Sequence, residues 1–332
     1  MSPIIQVRDL TKTFQVVRRR AGFTGALANL FAPRYSEVRA VDRISFDLDE
    51  GGLVGYLGPN GAGKSTTIKM LTGLLVPSGG TLTVDGFVPW KDRARYVSHI
   101  GAVFGQRTTL WWDLPVIDSF ELLQPMYKVE PSRFRRSLSQ FVDLLEMGEF
   151  LHTPVRSLSL GQRMRADLCA ALLHEPRLVF LDEPTIGLDV VAKERIRQFI
   201  QHINRERGVT ILLTTHDLSD VERLCDRVMI IDHGRLLFDG SLPNLNGQFE
   251  SDWSLVVTFS EEPVGEICLP GLPEPEREGP RAVYRFDHRR FVAADLIQQL
   301  MQRHRVVDLE IRRPALEETI RRIYEERLLV SD

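Results

Sequence analysis

The stretch Leu53-Val-Gly-Tyr-Leu-Gly-Pro-Asn-Gly-Ala-Gly-Lys-Ser-Thr66 decides the fold. Its first five residues form an apolar run that reads as a buried strand. The run meets a glycine-rich turn at Gly58, and a helical pattern begins near Gly63 and stops at Thr72-Gly73, where glycine supplies a left-handed cap. Within the turn, Gly58-Pro59-Asn60-Gly61-Ala62-Gly63-Lys64-Ser65 satisfies G-x-x-x-x-G-K-[ST] at every fixed position. The mechanism is physical. Glycines let backbone N–H groups turn inward around phosphate oxygens, and the helix N-terminus adds the positive end of its dipole. Lys64 is expected to reach the β- and γ-phosphates of a nucleotide, and the Ser65 hydroxyl to ligate Mg²⁺.

A second apolar run, Leu178-Val-Phe-Leu181, ends in Asp182-Glu183. Acids at the carboxyl end of a buried strand stand where α/β sheets bind ligands. Asp182 is expected to hold Mg²⁺ through its water shell, and Glu183 to polarise an attacking water as general base. Acids there also serve simply as helix caps; the neighbouring glycine-rich turn favours chemistry.

Outward from these two runs, Ile4 to Phe14 reads as a strand and turn, and Ile44-Ser-Phe-Asp-Leu48 alternates as a half-buried strand. Between them, residues 17–39 carry Arg18-Arg19-Arg20 and then Phe23, Leu27, Leu30 and Phe31 at helical spacing. Residues 107–175 are mainly helical in pattern, with Ser119–Tyr127, Arg133–Glu146 and Gln162–Leu173 as the helices. The apolar runs Thr210–Leu213 and Val228–Ile231 join Leu178–Leu181 as buried parallel strands. Character changes after Gly240: Leu242–Gly247 reads as a linker, and 260–280 is rich in Pro, Glu and Gly. Strands at 253–259, 282–286 and 306–311 with helices at 290–303 and 314–327 then suggest a small α+β domain. The expected domains are therefore 1–240 and 241–332.

With 332 residues the chain is long enough for one large and one small domain. Its net charge of −3 gives no reason to expect a nucleic-acid partner. Three cysteines, Cys169, Cys225 and Cys268, form no CxxC pair, which argues against a zinc or disulfide framework. No signal segment and no apolar run of about 20 residues is present, so the chain reads as soluble.

Further motifs complete a pattern. Leu158-Ser-Leu-Gly-Gln162, Gln106 after Val103-Phe-Gly, Gly187-Leu-Asp189 and His216 in Thr214-Thr-His-Asp217 flank the two phosphate-directed motifs in a fixed order. Over about residues 4–240 the chain resembles the ATP-binding subunits of ABC transporters, whose signature motif is usually Leu-Ser-Gly-Gly-Gln. Its C-terminal part, with Pro314-Ala-Leu-Glu-Glu318, is similar to the ATPases of daunorubicin-resistance-type drug exporters.

The resemblance implies an α/β fold: a P-loop NTPase core with an antiparallel β portion, an inserted helical subdomain at about 107–175, and a small α+β C-terminal domain. It implies ATP and Mg²⁺ as ligands. Gly58, Pro59, Asn60, Gly61, Ala62, Gly63, Lys64, Ser65 and Thr66 would hold the phosphates, with Phe14 stacked on adenine. Ser65, Gln106 and Asp182 would surround the metal, and Glu183, His216 and Gln106 would serve hydrolysis, His216 sensing the γ-phosphate. In this family two ATPase domains pack head to tail, so Ser159, Gly161, Gln162 and Asp189 would complete the partner's site. Leu160 stands where the signature usually has glycine; a left-handed backbone there would cost about 1–2 kcal/mol, so either its backbone is ordinary or the motif is strained.

The expected partners are a second ATPase subunit, most simply an identical one, and an integral membrane permease. These would hold the chain at the cytoplasmic face of the membrane. Trp111 and Trp112 read as anchors for the permease or as local core. The Arg18–Arg20 cluster reads as a solvated charge run or a membrane contact. Export of drug-like compounds follows from the C-terminal resemblance. Two alternatives stay open: a nucleotide-dependent switch that hydrolyses little, and a soluble ATPase of the same family.

Overall fold

A computed structural model describes residues 3–18, 34–105, 107–249, 252–263 and 267–312, with 316, 319–321 and 323–324 near the C-terminus. Backbone contacts divide the chain into two compact units, Met1–Gly240 and Ser241–Asp332.

The strands of the larger unit are β1 (Ile5–Arg18), β2 (Arg34–Leu48), β3 (Leu53–Leu57), β4 (Gly79–Val84), β5 (Ile100–Phe104), β6 (Leu178–Asp182), β7 (Thr210–Thr215), β8 (Arg227–Asp232) and β9 (Arg235–Ser241). Six of them make one sheet in the order β5-β6-β7-β3-β8-β9. Neighbours from β5 to β8 run parallel. Strands buried on both faces must be apolar throughout, which is why Leu53–Leu57 and Leu178–Leu181 are unbroken apolar or small-residue runs. The remaining three strands form an antiparallel sheet in the order β2-β1-β4. Ile5, Val7, Leu10, Ile44 and Phe46 of that sheet share one core with Tyr56, Ile68, Phe180 and Met229.

Three helices, Val116–Met126, Pro131–Leu144 and Leu160–Leu172, occupy the segment between β5 and β6. Each begins two or three residues before its expected start. For the second and third the cause lies in the caps, which outrank side-chain periodicity at a helix end. Pro131 takes the first position of its helix while the Glu130 carboxylate accepts from the N–H groups of Ser132 and Arg133 at 3.0 and 2.9 Å. The Ser132 hydroxyl, which also donates to this carboxylate, together with those two N–H groups holds the Glu130 carboxyl down to about 2.

Several expectations need correction. β1 continues past Phe14 and pairs with β2 as far as Arg18↔Arg34, so 34–39 is strand rather than part of a helical insert. The apolar spacing of Phe23–Phe31 and Arg19-Arg20 lie outside the described residues. The segment Leu242–Gly247 is not a linker; it lies in the helix Leu242–Phe249. Strands β4, β5 and β9 went unread. No residue of β9 is buried and half of β4 is exposed, so burial imposed no clear pattern on either, and Gly101 interrupts the apolar run of β5.

The smaller unit holds β10 (Asp252–Phe259), β11 (Glu276–Glu278), β12 (Arg281–Asp287) and β13 (Val306–Arg312), ordered β11-β12-β10-β13 and antiparallel throughout. Leu255, Val257, Tyr284 and Phe286 of the sheet pack with Leu296 and Leu300 of the helix Ala293–Arg303. The Tyr284 hydroxyl donates to Ile267 O at 2.9 Å, and burial pushes its pKa up to about 12.

Candidate nucleotide site

Parallel pairing brings the scattered motifs together. Leu57 stands opposite Thr215, Asp182 opposite Thr214, and Phe104 opposite Asp182. Strands in that register end at one edge, so Gly58, Glu183, His216 and Gly105 all leave the sheet at the same place. Gln106 itself lies outside the described residues.

At this edge the turn from Gly58 closes through Ala62 N–H on Pro59 O (3.1 Å) and leads into the helix Lys64–Leu71. Two glycines are required by the packing. A Cβ on Gly58 would sit 2.4 Å from Ile231 O, and Gly63 combines φ +110° with a Cβ position 2.4 Å from Ala40 O. No side chain caps this helix, so the donors of its first turn face outward from the turn. Lys64 is buried, and its ammonium donates to Gly58 O at 2.6 Å and Pro59 O at 3.1 Å. Burial lowers its pKa, while Glu183 and Asp182 pull it back up. Ala40, Asn60, Gly61, Gly63, Lys64, Ser65, Thr66 and Glu183 border a cavity of about 160 Å³. Asn60, Ser65, Asp182 and Glu183 also border an adjoining cleft of about 380 Å³.

The acids are held by hydroxyls. Asp182 Oδ1 accepts from Thr214 Oγ1 at 2.5 Å and from Ser65 Oγ at 3.4 Å. Glu183 N–H donates to both Thr214 O (3.0 Å) and Thr214 Oγ1 (3.1 Å). Glu183 adopts φ +54°, a conformation that costs a non-glycine residue about 1–2 kcal/mol. Its Oε1 lies 3.4 Å from His216 Nδ1, so the expected base and the expected sensor face one another. Thr214 is the site residue that sequence reading missed. Its neighbours in Thr-Thr-His-Asp were the only signal, since a hydroxyl inside a buried strand looks like core.

Other expected residues are placed as follows. Phe14 is exposed on the β1–β2 ribbon beside Val38, with the Lys12 ammonium 5.3 Å from its ring centroid. Ser159 caps the helix Leu160–Leu172 through a reciprocal box: Gln162 N–H donates to Ser159 Oγ (3.2 Å), and Ser159 N–H to Gln162 Oε1 (2.9 Å). Leu160 is the first residue of that helix and has no positive φ, which settles its backbone as ordinary. Gly161 follows in the same first turn. Asp189 caps the helix Val190–Arg207 by accepting from Ala192 N–H at 2.9 Å. Within one chain Ser159 with Gln162, and Asp189, cap helix starts, Gly161 lies in the first turn, and none of the four joins the Lys64–Glu183 cluster through any hydrogen bond among the described residues.

A glycine-rich cradle over a helix start, with hydroxyl and carboxylate oxygens beside a buried lysine, defines a nucleoside-triphosphate site of the P-loop class. Residues 41–186 match the family model described as ABC transporter. The ABC transporter ATP-binding protein NatA of Bacillus subtilis (strain 168) is 34% identical over 224 residues, covering 68% of this chain and 89% of that one. The linearmycin resistance ATP-binding protein LnrL of the same organism is 34% identical over 226 residues, covering 68% of this chain and 72% of that one. A dimeric ATP-binding cassette in a post-hydrolysis state with ADP and Pi superposes with a TM-score of 0.60 at 23% identity, over 72% of this chain and 98% of that one. This chain belongs to the ABC transporter ATP-binding proteins and is an ATP-binding ATPase of that family. Among the described residues no helix is long and apolar enough to cross a membrane.

Proposed function

We propose that this chain is the motor subunit of an exporter for drug-like or other hydrophobic compounds, working as a head-to-tail pair of identical ATPases on a separate membrane permease. The observation that carries the motor assignment is the convergence of Lys64, Ser65, Asp182, Glu183 and His216 on one sheet edge. Export is supported by the similarity to LnrL, a linearmycin resistance protein, and by the C-terminal resemblance.

The residues present fit ATP with Mg²⁺. The cradle at 58–66 and the Lys64 ammonium suit the phosphates. Ser65 Oγ and Asp182 Oδ1, 3.4 Å apart, offer the hard oxygen donors that Mg²⁺ takes. Gln106 is proposed to join them. The ion, when bound, neutralises charge on the phosphate oxygens. Glu183 accepts a proton from the attacking water, and His216, beside it, donates toward the γ-phosphate. Phe14 supplies a face for adenine. Ser159, Gly161, Gln162 and Asp189 of one copy then close over the nucleotide of the other. Hydrolysis removes the charge that holds the pair shut. Moving a closed–open equilibrium from about 1:99 to 99:1 takes about 5.5 kcal/mol, which two enclosed nucleotides can supply.

Trp111 and Trp112, exposed at 37% and 50%, are the proposed contact with the permease, which would hold the chain at the cytoplasmic membrane face. The smaller unit, 241–332, is proposed as an accessory domain. Glu183→Gln tests the motor reading: turnover should fall about 10²–10⁴-fold while ATP binding persists and a nucleotide-bound dimer accumulates. Unchanged turnover would remove Glu183 as base. Copurification of an integral membrane protein with the full chain tests the permease.

A further inference from the structure

Behind the candidate site lies a polar cluster that phosphate binding does not use. Asp220, fully buried, sits on the helix Leu218–Leu224. Its Oδ2 accepts from Thr185 Oγ1 at 2.5 Å and from Thr215 Oγ1 at 3.3 Å. Its Oδ1 is taken by the buried Arg197, at 2.6 Å from Nε and 2.5 Å from Nη2. Arg197 also donates to Ser219 Oγ at 2.8 Å. Thr215 Oγ1 in turn accepts from Asp217 N–H at 2.9 Å, which makes it a member of the turn that carries His216. Asp217 is tied to Lys193 at 2.7 Å. Desolvation opposes its charge, but the Lys193 and Ser219 hydrogen bonds outweigh that and hold its carboxyl down to about 2.

The chain positions of the two hydroxyls give the cluster its meaning. Thr185 follows Glu183 by two residues and Thr215 precedes His216 by one. One buried carboxylate therefore gathers the two strand-end turns whose side chains face each other at 3.4 Å. Glu183 also has a strained backbone, and such strain persists only where the surroundings over-determine the conformation. Arg197 fixes the carboxylate from the helix Val190–Arg207, so the anchor does not swing with either turn.

We infer that Asp220, through the Thr185 and Thr215 hydroxyls, is a positioning residue that sets the Glu183–His216 spacing for hydrolysis. Asp220 is fully buried, so on this reading it acts through the two hydroxyls and not on the reacting atoms. The inference rests on the proposed roles of Glu183 and His216, so its test carries that reading as an internal control. Asp220→Asn would strand a buried guanidinium and endanger the fold. The informative change is Thr185→Val, which keeps the shape and removes only the hydroxyl, with Thr185→Ser as its rescue.

Full-length wild type, Thr185→Val, Thr185→Ser and Glu183→Gln would be compared for ATP turnover against ATP concentration, with thermal unfolding alongside. Thr185→Val should lower kcat about tenfold and leave KM within about twofold, and Thr185→Ser should recover most of the loss. A merely structural role predicts a lower Tm with kcat intact below it, and that outcome overturns the inference. A Thr185→Val kcat near wild type while Glu183→Gln is inactive sinks the positioning role alone. Loss of kcat that Thr185→Ser fails to recover overturns it as well, since packing rather than the hydroxyl would then be responsible. If Glu183→Gln turns over like wild type, both the site reading and the inference fall.

Discussion

Two helices of this chain begin where phosphate contacts are proposed, and they begin in opposite ways. The helix Lys64–Leu71 starts from Gly63 in the left-handed region with no side-chain cap. The helix Leu160–Leu172 starts from Ser159 with both halves of a capping box closed. A helix leaves its first four N–H groups without internal partners, so something else must satisfy them. At Gly63 the chain offers no side-chain acceptor, and an anion is proposed to complete the end. At Ser159 the chain satisfies two of the four itself, the Ser159 and Gln162 N–H groups, and leaves those of Leu160 and Gly161. On the proposed reading the first start binds nucleotide within one chain, and the second, closed by its own cap, meets a phosphate carried by another copy.

That contrast breaks most sharply at Lys64. Lys64→Ala removes the buried ammonium from the cradle, and ATP affinity should fall by about two orders of magnitude or more, the worth of a charge-assisted phosphate contact in a partly buried site. Titration with a fluorescent ATP analogue measures this directly; affinity within a few-fold of wild type would mean that the cradle binds by its backbone alone. Ser159→Arg is the next largest. It should leave the first ATP bound as tightly as before and abolish the ATP-dependent dimer, read by size-exclusion chromatography in a Glu183→Gln background. An intact dimer would refute the two-chain site.

The smallest effect sharpens the comparison rather than testing function. Ser159→Ala opens the capping box, and loss of such a cap costs about 1 kcal/mol. Thermal unfolding should drop by a few degrees. ATP affinity of the isolated chain should not change, because the proposed nucleotide site of that chain is at the other helix start.

Much of this was legible because phosphate chemistry constrains spacing locally. Gly58 to Ser65 had to be a turn between strand and helix, since only that arrangement aims consecutive N–H groups at one anion. Asp182-Glu183 had to end a strand, since Leu178–Leu181 is apolar on both faces. The β1–β2 ribbon was less legible. Phe14, Val16 and Val38 are exposed there, so burial imposed no alternation for a pattern to reveal. The helix Leu242–Phe249 was misread because Pro243, Asn244 and Gly247 are loop formers by propensity, and propensity is a weak prior once a segment is held by its surroundings.

The sequence by itself therefore determined the local arrangement at each short motif: the turn at Gly58–Ser65, the acids at the end of β6, and the serine that begins the helix Leu160–Leu172. Only the tertiary structure decided which of these meet. Glu183 and His216 are 33 residues apart in the chain, and parallel strand register, not sequence distance, sets their 3.4 Å approach. The same holds for the carboxylate of Asp220, whose three partners come from separate elements. Local spacing is written in a sequence because one turn or one strand end enforces it. Long-range juxtaposition is not, because it emerges from how the whole sheet pairs.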